Sequence, residues 1–242
     1  MTKLKSLLLI VFLTISFSGF GQAMWILIFG DKLSTEKLHS GITVSAAGVD
    51  LYGFQNAKMA PNWAIGGFMD LSIFKKKSLV FSLDFTFKTP LGARNMDNFL
   101  DDIINDSINL VKESVVLNNT AFSLPLYFKY KTKYAAFGAG IQMTLIYKST
   151  FKYTAQTDDK KTIRISKGVN KKLNKFDIGP FVMFEFYLKP SNHLASMRLG
   201  MRYFYGLLQP VKNEKGIHNA TLMATLCIPI GGKKTMIKEE QE

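Results

Sequence analysis

Cysteine is nearly absent from this chain: Cys227 is the only one in 242 residues. No internal disulfide can form, so burial and backbone pairing alone must hold the fold. Histidine is scarce too, and His39, His193 and His218 lie far apart in sequence. No Cys, His or carboxylate spacing resembles a zinc or calcium site, and no cofactor is expected. Beyond the first thirty or so residues no apolar run reaches the roughly 18 a membrane helix needs. Acidic side chains are outnumbered, 18 against 31 Lys and Arg, for a net charge of +13. Such an excess ordinarily raises nucleic acid as a partner.

The N-terminus points to another compartment. Lys3 and Lys5 open a short positive stretch, residues 7–20 are apolar, and Gly21-Gln22-Ala23 supplies the small residues of a cleavage site. This pattern reads as a secretory signal peptide over residues 1–23. An uncleaved anchor is the competing reading, because Met24 to Phe29 continue the apolar stretch. Export argues against nucleic acid as a partner. It favours anionic lipid headgroups and lipopolysaccharide phosphates, which attract Lys and Arg by the same Coulomb term.

Nearly half of the residues are hydrophobic, and period two shows where they sit. Over residues 79–88 every odd position is large and apolar, and every even one but Val80 is polar. A strand sends alternate side chains to opposite faces, so one face is oily and the other polar. The alternation returns at 122–131, 134–148, 176–189, 194–208 and 218–230, and more weakly at 40–52 and 63–74. Short links at 75–78, 132–133 and 190–193 alternate with long ones at 54–62, 89–121, 154–175 and 209–216. An even strand count, with tight turns at one end and long loops at the other, describes an all-β, up-and-down antiparallel transmembrane barrel of eight strands. The expected plan is a periplasmic segment at 24–39, an outer-membrane barrel at 40–230 and a charged periplasmic tail at 231–242.

The polar face decides which way the barrel is turned. It carries Asp70, Asp84, Lys129, Asp177, Glu185, Arg198 and Arg202. A soluble calyx would have to line a greasy interior with these charges, whereas lipid outside and a polar lumen satisfy both faces. Asp70, Asp84, Lys129, Glu185, Arg198 and Arg202 are expected to form a lumenal ionic layer. A two-residue loop at Ser191-Asn192 would pair strands six and seven where residue numbers sum to 383, setting Glu185 directly opposite Arg198.

Two long loops carry further pattern. Met96, Phe99, Leu100, Ile103, Ile104, Ile108 and Val111 recur at helical spacing, so residues 95–116 read as an amphipathic helix in the second outer loop. The third loop gathers Lys160, Lys161, Arg164, Lys167, Lys171, Lys172 and Lys175, a candidate contact for lipopolysaccharide phosphates.

The order of a leader, a Gly-rich first hairpin, the strand at 79–88, then Phe122-Ser-Leu-Pro-Leu-Tyr-Phe-Lys-Tyr and Ala136-Phe-Gly-Ala-Gly-Ile, resembles the PorT-like outer-membrane β-barrel proteins of the porin family in Gram-negative bacteria. The likeness covers about residues 40–232. It implies the same fold and membrane, but that family is functionally mixed and no functional residue carries over. One departure stands out: the last strand ends Cys227-Ile-Pro-Ile230 rather than on an aromatic residue.

No Ser-His or other nucleophile–base pair with a supporting motif is found, so no enzymatic activity is expected. A structural or surface-interaction barrel is the first expectation, a small pore or transport- and secretion-associated barrel the second, a lipid-modifying membrane enzyme the third. Expected partners are outer-membrane lipid, lipopolysaccharide and the barrel-insertion machinery, with the protein itself a monomer.

Overall fold

The structure, a computed structural model, describes residues 38–54, 56–72, 78–95, 110–157, 162–169, 173–189, 196–212 and 215–230. Among them run nine strands: β1 (Leu38–Tyr52), β2 (Ala60–Leu71), β3 (Leu79–Arg94), β4 (Leu110–Lys131), β5 (Ala135–Thr157), β6 (Thr162–Gly168), β7 (Phe176–Tyr187), β8 (Arg198–Tyr205) and β9 (His218–Ile230). β1 to β5 pair in sequence, β5 passes over β6 to pair β7, and β7, β8 and β9 follow until β9 pairs β1. Eight antiparallel strands thus close into an up-and-down barrel with no free edge along its wall. β6 folds back only against the far part of β5, from Thr150↔Gly168 to Gln156↔Thr162.

Alternation sets the two faces. Outward go Phe128, Phe137, Ile141, Phe186, Leu199 and Met201, each at least half exposed, from 51% to 54%. Inward go Asp70, Asp84, Lys129, Asp177, Glu185, Arg198 and Arg202, of which none exceeds 4%. That distribution is the reverse of a soluble protein's, and it rules out the calyx orientation.

Several strands run on well past the expected ends. Residues 89–94 and 110–121, expected in a loop, continue β3 and β4, paired from Thr89↔Ala121 to Arg94↔Val116. β4 and β5 stay paired as far as Leu110↔Thr157. Of the segment read as a helix, residues 110–116 are therefore strand, because backbone pairing with β3 and β5 overrides a weak periodicity; residues 96–109 lie outside the described residues. Above the barrel wall these strands form a crown.

The crown begins at one line of irregular register. On β3 the pairing shifts between Thr86↔Ser123 and Thr89↔Ala121, and on β5 between Ala121↔Ile146 and Thr120↔Lys148. Each shift inserts one extra residue, a β-bulge, and turns the alternation over. Below the bulges odd residues of β3 and β5 point outward; above them odd residues point inward. Ala93, Phe151 and Tyr153 thereby join Val115, Leu117, Leu51, Val169, Leu173, Val211 and Ile217 in an apolar core inside the crown. Isolated bridges Lys58↔Arg94 and Leu173↔Val211 tie the connecting loops to it.

Candidate functional site

Toward the turn end, the lumen is filled by charge. Lys129 on β4 places its Nζ 3.0 Å from Asp70 Oδ1 and 3.3 Å from Glu185 Oε2. Arg198 on β8 reaches the same two carboxylates, 2.8 Å to Asp70 Oδ2 and 3.2 Å to Glu185 Oε2. Arg202, a layer higher, lies 2.6 Å from Asp84 Oδ2 and 3.5 Å from Glu185 Oε1. Three buried carboxylates thus face three buried cations. Lys131, at 18% exposure, adds a fourth cation from the rim, 3.3 Å from Asp70 Oδ2. Buried charges persist only when paired and hydrogen-bonded, and a barrel of eight strands is narrow enough for side chains to meet across its axis.

The layer recruits neutral side chains as well. Ser82 Oγ donates to Asp70 at 2.7 Å and the Tyr127 hydroxyl to Asp84 at 3.1 Å. Cys227 Sγ donates to Glu185 at 3.4 Å and lies 3.6 Å from Arg202 Nη2. The Arg198 guanidinium also stacks over Phe68, 4.1 Å from the ring centre. Tyr127, Ser82 and Cys227 share the inward alternation of the charged residues, and that parity was the sequence signal for them. Lys131, which reaches Asp70 from the rim, shares that parity as well.

The register of β7 and β8 differs from the expected one. Paired residues sum to 385 rather than 383: Glu185 lies opposite Gly200, and Arg198 opposite Tyr187. Leu188 N–H still bonds Met197 O at 2.9 Å, so pairing continues toward a connection, residues 190–195, that is outside the described residues. Gly200 gives this register its use. A Cβ there would strike the Phe184 carbonyl and stand 2.8 Å from Glu185 Cγ; without one, Glu185 settles between Arg198 and Arg202.

Above the ionic layer the packing turns apolar, with Leu91, Ala121, Tyr127, Ile146, Phe181, Met183 and Phe204 in one buried cluster. Beside it Gln142 Nε2 donates to Thr144 at 3.1 Å, and Ser123 and Thr144 hydroxyls bond at 3.0 Å. Nearer the loop end Asp177 accepts from Asn219 Nδ2 at 2.7 Å and from the Leu208 amide at 3.1 Å. Over all of this sits the crown's core. Ionic layer, apolar cluster and crown core stack in one lumen.

His39 pairs opposite Asp70 at the turn end, and His218, stacked on Tyr205 at 5.3 Å, lies at the loop end. They do not converge. His193 lies outside the described residues, among which no cluster of metal-binding side chains occurs. Of the basic third-loop residues, Arg164 and Lys167 are exposed on β6 and Lys175 is exposed just before β7; Lys160, Lys161, Lys171 and Lys172 lie outside the described residues.

The outer face changes character at the bulge line. On β3 the outward series Leu79, Phe81, Leu83, Phe85 and Phe87 gives way to Lys88 and Arg94; on β5, Phe137, Ile141, Leu145 and Tyr147 give way to Lys148 and Lys152. Lys88 lays its Nζ 3.3 Å from the centre of the Trp63 ring. Trp and Tyr commonly mark the hydrocarbon–water boundary of transmembrane barrels.

No family model matches the chain. No curated protein matches it either. Among solved structures it is similar to Neisserial surface protein A, at 12% identity and a TM-score of 0.36, covering 79% of this chain and 96% of that one. It is also similar to the N-terminal β-barrel domain of Pseudomonas aeruginosa OprF, at 12% identity and a TM-score of 0.27, covering 78% and 97%. A third is the CymD monoaromatic hydrocarbon channel, at 9% identity and a TM-score of 0.27, covering 82% and 89%.

Proposed function

We propose that this chain is an integral outer-membrane barrel with a sealed lumen, which holds a rigid crown of paired strands above the bilayer for surface contacts. One observation carries the reading: the barrel is polar and charged inside and apolar outside, and the outer face turns basic along one line. A closed barrel leaves no unpaired edge for hydrocarbon to meet, and a membrane is the solvent that favours this distribution. The leader-like residues 1–23 and the motif order that resembles PorT-like proteins agree with it. The tight turns then face the periplasm and the crown faces outward.

The role is structural or adhesive rather than conductive. A through-path would have to break pairs buried to 4% or less and then cross two apolar layers. The experiment folds the mature protein into detergent, compares gel mobility with and without boiling, and records conductance in planar bilayers. A faster unboiled band and no steady current are expected. Identical mobility would sink the barrel reading, and large steady conductance would favour a pore.

A further inference from the structure

We propose that Lys88, Lys148 and Lys152, with Arg94 and Lys58 above them, form a binding face for the phosphates of a phosphorylated glycolipid in the surrounding outer leaflet; this rests on the membrane reading above. The two bulges build the face. Each inserted residue lets two successive side chains point outward, Phe87 beside Lys88 on β3 and Tyr147 beside Lys148 on β5. Each bulge thus presents one aromatic ring and one ammonium side by side. The Tyr147 hydroxyl donates to the Phe87 carbonyl at 3.3 Å, which couples the bulges at one height. Rings below and cations above are what a lipid presents in mirror image, acyl chains below and phosphate above.

The cations belong to one surface. Ladder partners share a face, and Arg94, Val116 and Lys152 lie in one row across β3, β4 and β5. Lys58 bridges to Arg94. Lys88 and Lys152 are near enough for their charges to repel. Among the described side chains that repulsion finds no relief: their carboxylates are Asp50, Asp70, Asp84, Asp177 and Glu185, and four of these are buried. Asp50 alone faces outward, on β1, and its Oδ1 accepts from the Leu51 amide at 2.9 Å. Among the described side chains no carboxylate pairs with any of the five cations. An anion from outside the chain would relieve the repulsion. A lipid headgroup is the source the position favours, because the face begins where the apolar band ends.

Lys88, Arg94, Lys148 and Lys152 lie on strands and Lys58 is bridged to one, so the site's geometry is set before any lipid arrives. The test is native mass spectrometry of the full mature protein in detergent, titrated with diphosphoryl lipid A, its dephosphorylated form and inorganic phosphate. Changing Lys88, Lys148 and Lys152 together to Gln should weaken diphosphoryl lipid A binding at least about tenfold, on the scale of surface lysines near anionic lipid. The double change Lys133→Gln and Lys189→Gln, which removes charge at the opposite end, should leave binding unchanged. The dephosphorylated form should bind weakly, and millimolar phosphate should not displace the lipid. Undiminished binding by the triple variant, equal weakening by the control, or displacement by phosphate would each overturn the site. Heat-shifted mobility of every variant shows that the barrel has folded; its absence in the unmodified protein would overturn the membrane reading instead.

Discussion

Tyr147 and Phe87 are the inserted residues of two β-bulges on strands that do not pair, and the hydroxyl of one donates to the carbonyl of the other at 3.3 Å. Between them lies β4, which stays regular at that height while its neighbours shift. The bulges turn two strands over at the same height, so residues that would meet lipid instead fill the crown.

Deleting Phe87 should cost little more than truncating it. Phe87→Ala removes ring contacts with Phe85 and Phe122, centred 5.3 and 6.5 Å away, and should cost about 1 kcal/mol. Deletion leaves β3 regular: Lys88 takes the outward place of Phe87, and Leu91, Ala93 and Arg94 keep their faces and their partners on β4. Limited proteolysis of folded protein should find the crown equally resistant in the deletion variant and in Phe87→Ala. Cleavage of the crown in the deletion variant alone would show that the inserted residue does more than change the face on which the later residues lie.

A charge placed among the outward residues tests the membrane itself. Leu126 lies in the apolar band of β4, paired with Leu83 and Ile141. Leu126→Lys should cost about 2 to 4 kcal/mol of folding free energy in lipid vesicles, the scale for a cation near the bilayer midplane. Thr150→Lys, above the bulge line, should be close to neutral. Denaturant titration in vesicles measures both, and equal effects would mean that no hydrocarbon meets Leu126.

Much of the barrel was legible in the sequence because alternation is a direct consequence of strand geometry. His218 to Ile230 reads as a strand and is one, and the seven inward charges stood out because each sits on the polar face of an alternating segment. The crown did not read, for a physical reason. In β3 the odd residues stay largely apolar from Phe81 to Ala93, but the bulge moves them from lipid to core midway; no periodicity within the strand marks that change of face. In β4 the apolar parity switches near Thr120 without a bulge, which looks like the end of a strand. The β7–β8 register missed by two because it was inferred from a turn, whereas Glu185 is accommodated by the missing side chain of Gly200.

The ionic layer predicts non-additive stability. Arg198→Leu leaves Asp70 and Glu185 each short of a partner, and Glu185→Leu leaves an excess of positive charge beside Lys129, Arg198 and Arg202. Each single change should cost about 3 to 5 kcal/mol, because a buried charge is left uncompensated. The double change restores charge balance and should cost less than either single change. Thermal unfolding in detergent gives the comparison. Two harmless single changes would show that the pairs do not hold the lumen.

The thiol of Cys227 offers an independent probe of the seal. It lies on the inward face of β9, opposite Thr43 on one side and Arg198 on the other, and is fully buried. A maleimide could reach it only past the ionic layer from the turn end or past the crown core and apolar cluster from the loop end. Folded protein should therefore resist labelling over hours and become fully reactive after boiling in denaturant, since only the thiolate reacts and only an open barrel exposes it. Cys227→Ser keeps a donor within reach of Glu185 and should unfold near the unmodified temperature. Cys227→Leu forces extra volume against Arg202 and Glu185 and should cost about 1 to 3 kcal/mol, with faster labelling of a cysteine introduced at Thr225 as the packing loosens. Rapid labelling of Cys227 in folded protein would mean a water-filled lumen, and the pore would then be the better description.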